Sequence, residues 1–349
     1  MPKRVLITGH EGYIGSVMAP LFLKAGYEVV GLDSGFFHEC TLVPDQNQIP
    51  MISKDIREVE PSDLEGFDAV IHLAALSNDA TGDLNREWTQ SINYEASVRL
   101  AKFAKTAGVK RFLFSSSCIM YGVSEAAVVT EDSPLDPKTE YAISKVKSER
   151  AIAELADDSF SPTFLRNGTV YGFSPRMRFD TAFNNLMGSA VTRGKVVVES
   201  NGKPWRPVVH VADLARSFLA VLEAPIEKVH NQTFNNGANH LNHQIKELAE
   251  VVVKTVPGSK LEMLASPGAD QRTYKADFSK FARAFPHFVF KWNIKEGARE
   301  LCDAFKKAKL TEAQFNDKHF TRISWLRHLL EKGLLDDSLH WKKSIEVSS

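Results

Sequence analysis

Residues 8–15 read TGHEGYIG. The segment before them, KRVLITG (3–9), is a short apolar run of the kind that forms a buried strand. The segment after them, GSVMAPLFLKAG (15–26), spaces its apolar residues as a helix does and stops at Gly26. A strand that enters a glycine turn and leaves as a helix opens a βα unit. Gly9, Gly12 and Gly15 are spaced Gly-x-x-Gly-x-x-Gly, which differs from the generic Gly-x-Gly-x-x-Gly fingerprint. The physical need is the same. Small residues let the backbone approach a pyrophosphate, and the first turn of the helix offers unpaired amides to negative charge. Tyr13 and Ile14 lie inside the turn and are expected at the same surface.

Outward from the turn, strands and helices alternate. YEVVGLD (27–33) and FDAVIHLAA (67–75) read as strands, and the stretch from Trp88 to Ala107 as a helix. KRFLFSSS (110–117) is the next strand, EYAISKVKSERAIAELA (140–156) a helix, and SPTFLRNGTVYG (161–172) a returning strand. Continuous apolar strands separated by helices predict a parallel sheet covered on both faces. The expected fold class is α/β, a Rossmann-type doubly wound parallel sheet with a smaller C-terminal α/β lobe. After residue 172 the pattern loosens into helices at 180–193 and 213–223, short strands KVVVE and PVVHV, and a charged helical tail. The expected division is 1–172 for the nucleotide half with the reactive residues, and 173–349 for a substrate lobe and helical extension, with segments free to interchange. Phe320, Ile323, Leu326, Leu329 and Leu330 have helical spacing and are expected to pack across the substrate lobe.

Composition narrows the classes. The chain has 349 residues, zero formal net charge and 43% apolar residues. No basic stripe points to nucleic acid. No apolar stretch is long enough to span a membrane, and the N-terminus lacks a signal-peptide core. Cys40, Cys118 and Cys302 are too dispersed for a disulfide framework or a zinc site. His319, His328 and His340 match no familiar ligand spacing, so no metal is expected. These features predict a cytoplasmic protein.

Asp33 ends the second strand, 18 residues beyond Gly15. A carboxylate there accepts both adenosine ribose hydroxyls and repels a 2′-phosphate, so NAD is favoured over NADP. Asp55 and Ile56 follow the next strand and are expected beside the adenine. Leu73, Ala74 and Ala75 end the strand facing the cofactor. The loop LSNDATGDLN (76–85) places Leu76, Ser77 and Asn78 near a bound ring, while Asp79 and Asp83 are candidates to cap the next helix. Tyr141 and Lys145 share one helix face. A phenol with a pKa of about 10 is a poor base, and a neighbouring ammonium favours its phenolate. Strand ends at the carboxyl edge of a parallel sheet face the ligand crevice, so a serine among Ser115, Ser116 and Ser117 can bond a reacting oxygen.

Taken in order, the glycine turn, the ribose carboxylate, the strand-end serines and Tyr141-x-x-x-Lys145 resemble the extended short-chain dehydrogenase/reductase family, in its NAD-dependent nucleotide-sugar epimerase/dehydratase branch. The resemblance covers roughly residues 3–285. It implies that Ser117, four residues before Tyr121-Gly122, is the catalytic hydroxyl. Tyr141 is then the base, and Lys145 its helper and the holder of the nicotinamide ribose. It implies Asn93 as support for the cofactor pocket. On the substrate side it implies Thr169 (an asparagine in many relatives), Arg176, Arg178, Asn185, Arg206 and Arg272. It also implies that His210 braces the fold, that Asp213 caps the following helix, and that the protein is a homodimer acting on a nucleoside-diphosphate sugar.

The dehydratases of this family follow the catalytic hydroxyl with aspartate and glutamate. Here Cys118 and Ile119 stand instead. The expectation is an epimerase that transiently oxidises a sugar hydroxyl, at C4, and returns the hydride. The alternative is an NAD(P)H-dependent reductase of a nucleotide 4-keto sugar. Below these stand a 3- or 5-epimerase using Cys118 as acid or base, and a dehydratase drawing its acid and base from another segment.

Overall fold

The computed structural model describes residues 4–44, 49–77, 79–123, 128–264 and 272–342. Asn78 lies outside the described residues. Among the described residues there are twelve strands: β1 Arg4–Thr8, β2 Glu28–Asp33, β3 Met51–Ser53, β4 Ala69–His72, β5 Arg111–Ser117, β6 Ser161–Asn167, β7 Thr169–Tyr171, β8 Lys195–Val198, β9 Trp205–His210, β10 Gln232–Asn236, β11 Asn242–Gln244 and β12 Lys260–Met263. Seven form one sheet in the order β10-β6-β5-β4-β1-β2-β3. Every pairing in it is parallel.

Helices cover both faces of that sheet, which is why its strands read as unbroken apolar runs. Alternate residues of β1 face opposite ways. Val5 and Ile7 join a core with Phe22 of α1 (Gly15–Lys24). Leu6 joins another with Leu100, Ala101 and Ala104 of α2 (Ala96–Thr106). Helix α3 (Glu140–Ala153) packs against β5, and α4 (Ala182–Arg193) belongs to the lobe. Helix α5 (Val211–Glu223) covers the first of these cores through Leu214, Phe218 and Val221.

Two strands differ from the expected path. The segment 161–172 is two strands, broken at Gly168, where an added Cβ would lie 3.2 Å from the Pro207 carbonyl oxygen. After that close approach β7 leaves the main sheet and pairs with β9, which pairs with β11. The seventh strand of the main sheet, β10, comes from QTFNN, a segment too polar to show as a buried strand. Its Asn235 and Asn236 are fully buried and hydrogen-bonded.

The lobe packs α4, α6 (Ile245–Thr255) and α7 (Ile294–Lys307) around Phe179, Phe183, Leu248, Leu301 and Phe305. The tail departs from expectation. Phe320 packs in the lobe, but Trp325, Leu326 and Leu329 of α8 (Arg322–Glu331) join the core that contains Leu32 and Phe36. The tail therefore crosses from the lobe onto the nucleotide half. A second correction concerns α5. His210 caps it, its ring nitrogen accepting from the Ala212 amide, and stacks on Trp292 at 4.1 Å. Asp213 instead accepts the Trp292 amide at 2.8 Å.

Candidate active site

At the carboxyl edge of the main sheet lies a cleft of about 960 Å³. One wall is the glycine turn, where Gly9, Gly12, Tyr13, Ile14 and Gly15 line the space. The turn is wound too tightly for side chains. A Cβ on Gly15 would sit 2.4 Å from the Gly9 carbonyl oxygen, and one on Gly9, at φ +73°, 2.8 Å from the Ala74 nitrogen. This is the backbone cradle that a dinucleotide pyrophosphate requires.

Asp33 lines the cleft at the end of β2. Its carboxylate accepts the Gly35 amide at 2.9 Å and the Glu11 amide at 3.1 Å, which orients it. Burial pushes its pKa up, and the backbone hydrogen bonds oppose that shift. Asp55, Ile56, Leu73, Ala74 and Ala75 line the same end. Asp55 is held by Arg57 at 2.7 Å. Asn93 acts from beneath. It accepts the Leu76 amide at 2.8 Å and donates to the Leu76 carbonyl at 3.0 Å, fixing the loop that borders the cleft.

Ser117 and Tyr141 meet on the opposite wall. Ser117 ends β5, and its hydroxyl accepts the Ile119 amide at 3.3 Å. Tyr141 stands in the first turn of α3, which Thr139 caps. Both side chains line the cleft, close enough that Ser117 lowers the proton affinity of Tyr141. One turn further on, the Lys145 ammonium donates to the Ser115 carbonyl at 2.7 Å and lies 5.7 Å from the centre of the Tyr141 ring. Burial lowers Lys145 to about 8, against the raising effect of Glu149. Tyr141 is pushed up to about 12, first by burial and then by Asp79, while Arg178 and Ser117 pull the other way. The expectation that Lys145 would favour the phenolate is thus outweighed by desolvation in the protein alone.

Cys118 does not reach this site. It is fully buried behind the cleft wall, where its thiol donates to the Arg166 carbonyl at 3.1 Å and burial pushes its pKa up. Ile119 is the side chain that faces the cleft.

The cleft also brings together Ser77, Thr169, Arg178, Asn185, Arg206 and Arg272, the residues expected to meet the substrate. Arg178 is buried, donates to the Ser77 hydroxyl at 2.7 Å and pairs with Asp180 through two bonds. Asn185 donates to the Phe179 carbonyl at 2.9 Å. Arg206 donates to the Trp205 and Arg272 carbonyls. Arg176 points away from this group. It donates to the Phe37 and His38 carbonyls and pairs with Glu11 at 3.4 Å, so it braces the loop after β2.

Of the cleft residues that sequence reasoning passed over, two bear on the chemistry of the site. Asp79, read only as a helix cap, accepts Thr139 and Arg272, each at 2.6 Å. Arg322, in the tail, also lines the cleft. No sequence signal marks either, because each is placed in the cleft through partners more than 50 residues away, Thr139 and Arg272 for Asp79 and Arg176 for Arg322. Among the described residues no cluster of His, Cys, Asp and Glu could hold a metal, and no helix is long and apolar enough to cross a membrane.

The chain is similar to known proteins. The chain is 29% identical over 330 residues to a UDP-glucose 4-epimerase of Bacillus subtilis (strain 168), covering 85% of this chain and 94% of the relative. It is 31% identical over 252 residues to a UDP-glucose 4-epimerase of Neisseria gonorrhoeae, covering 63% and 73%. Among solved structures it is similar to MoeE5 in complex with UDP-glucuronic acid and NAD, with a TM-score of 0.76 and 25% identity over 87% of this chain and 99% of that one. An NAD-dependent NDP-hexosamine 5,6-dehydratase, TunA, shares the fold with a TM-score of 0.78 at 24% identity over 87% and 98%. The model of the NAD dependent epimerase/dehydratase family matches residues 5–237. With the glycine cradle, Asp33 and the Ser117–Tyr141–Lys145 arrangement in place, the chain belongs to that family and is an NAD-dependent enzyme.

Proposed function

We propose that the protein is a nucleoside-diphosphate-sugar 4-epimerase. The observation that carries this reading is the composition of the wall around Tyr141. Ser117 and Tyr141 both line the cleft, while Cys118 is buried and Ile119 is apolar. That wall can take a proton from a hydroxyl and return it, but positions 118 and 119 offer no second acid or base for removing water or a C–H proton. A 4-epimerase needs none.

In this reading the glycine turn holds the dinucleotide phosphates, Asp33 the adenosine ribose, and Lys145 the nicotinamide ribose. When bound, NAD takes up the hydride and gives it back, and its oxidised ring adds the positive charge that a buried phenol lacks. Tyr141 removes the hydroxyl proton and later restores it. Ser117 donates to the same oxygen and fixes its distance from Tyr141. Ser77, Thr169, Asn185, Arg206 and Arg272 hold the sugar and its diphosphate, with arginine forks matched to phosphate oxygens. UDP-hexoses are the first substrates to try, since the curated relatives are UDP-glucose 4-epimerases.

The test is product analysis with a panel of UDP-hexoses in deuterated water. The expected result is interconversion of C4 epimers, with no solvent deuterium on carbon and no net consumption of added cofactor. Deuterium at C3 or C5 would make it a 3- or 5-epimerase. Stoichiometric use of NADPH would make it a reductase, and loss of water would make it a dehydratase.

A further inference from the structure

The tail after Phe320 covers two loops at the far end of the cleft. Trp325 Nε1 donates to the Phe36 carbonyl and Trp341 Nε1 to the Ser34 carbonyl, each at 2.6 Å. Arg57 donates to the Leu339 carbonyl at 2.8 Å. One segment therefore ties down both the loop after Asp33 and the loop containing Asp55. Ser34, Phe36, Phe37 and Ile56 of these loops line the cleft.

The same segment delivers Arg322. Its side chain is 3% exposed, lines the cleft and lies 4.5 Å from the Phe37 ring centre. Its guanidinium donates to the Arg176 carbonyl at 3.3 Å and the His319 carbonyl at 3.5 Å, both long contacts. Arg176 pairs with Glu11 and Arg178 with Asp180, so three guanidiniums share two carboxylates. Burial first, then Arg178, lowers Arg322 to about 10. Nearby on the cleft wall, the Thr181 hydroxyl is buried with no hydrogen-bond partner among the described residues. Burying surplus positive charge beside an unsatisfied donor is costly unless an anion completes the site.

We infer that residues 320–342 are a clamp on the bound dinucleotide, in which Arg322 and Arg178 hold its pyrophosphate while the strap closes the adenosine end. The inference rests on the reading of this cleft as the NAD site. The anion is assigned to the cofactor because Arg322 lies against Phe37, just beyond Asp33, and because Arg178 acts electrostatically on Tyr13 of the glycine turn as well as on Tyr141. A dinucleotide held by the glycine turn and Asp33 would place its phosphates between those points. An enzyme that oxidises and re-reduces one sugar gains by keeping its cofactor between turnovers.

The test uses the full chain and reads dinucleotide per protein after purification, its rate of loss on dilution, and the melting temperature. Variants are R322Q, R322K and W341A, the last an exposed strap residue. Loss of one charge-assisted contact should speed release from R322Q about tenfold or more, with R322K between it and the wild type. Release from W341A should also quicken, although Trp341 holds only the Ser34 loop. Wild-type release rates in folded R322Q and W341A overturn the clamp. If R322Q does not fold, an unchanged W341A overturns it. Unchanged dinucleotide retention with weakened UDP-sugar binding in R322Q assigns the cations to the sugar and overturns it too. A wild-type chain with no affinity for NAD overturns the cofactor site itself, a result distinct from retention that the variants fail to alter.

Discussion

Asp79 receives the Arg272 guanidinium at 2.6 Å on the cleft wall, and the Asp79 carboxylate raises the pKa of Tyr141. The pair links Arg272, proposed to hold the diphosphate, to Tyr141, proposed to lose a proton. Asp79→Asn removes the negative charge and keeps the shape. Tyr141 should then ionise more easily, by up to about one pKa unit. The acid limb of the kcat/KM profile should move to lower pH. A limb that stays in place would show that Asp79 does not act on Tyr141.

Replacing Tyr141 with Phe removes the proton acceptor and leaves the ring. Turnover should fall by about 10²–10⁴-fold, the usual contribution of a positioned acid or base. Dinucleotide content should be unchanged, because the glycine turn and Asp33 are untouched. Ser117→Ala should lower kcat in the same direction with little effect on cofactor content. Turnover near wild type in Y141F would move the chemistry to another residue.

The ammonium of Lys145 is destabilised by burial, with a pKa of about 8. Below that pH it carries the charge and the N–H groups assigned to the nicotinamide ribose. Above it the charge and one of the three N–H donors are lost, so NAD affinity should weaken as pH rises through about 8. Folding follows the opposite sign. The unfolded chain holds this proton up to a pKa of about 10.4, so between these values the unfolded state binds more protons and stability from this group rises with pH. Titration of NAD affinity against pH, in wild type and in Lys145→Met, checks the first trend. The variant should be flat.

Cys118→Ala should leave kcat within about twofold, since the thiol faces Arg166 and the interior rather than the cleft. The cost should appear in stability, about 1–2 kcal/mol for a lost buried group and its weak hydrogen bond. A thousandfold loss of turnover in a folded C118A would restore the thiol as a reacting group.

Much of the site was legible because its parts are local. The glycine turn, Asp33 and the Tyr141–Lys145 pair each depend on spacing within one strand, turn or helix. The fate of Cys118 was not legible. One residue from Ser117, it faces the other way because the strand ends there and the chain turns through a short 3₁₀ segment, Cys118–Tyr121. Arg176 and Arg178 are two residues apart, yet one braces the loop after β2 and the other enters the cleft.

By itself the sequence determined the parallel sheet, the glycine turn and the presence of Ser117 and Tyr141 at the cleft. Apolar periodicity and backbone sterics are short-range, and they act within a few residues. Only the tertiary structure decided that QTFNN completes the main sheet, that the tail straps the nucleotide half, and that Asp79 and Arg322 stand in the cleft. Those outcomes depend on burial and on charges brought together from distant segments. The same desolvation that defines the site sets its proton affinities, holding Tyr141 as a phenol and weakening the hold of Lys145 on its proton.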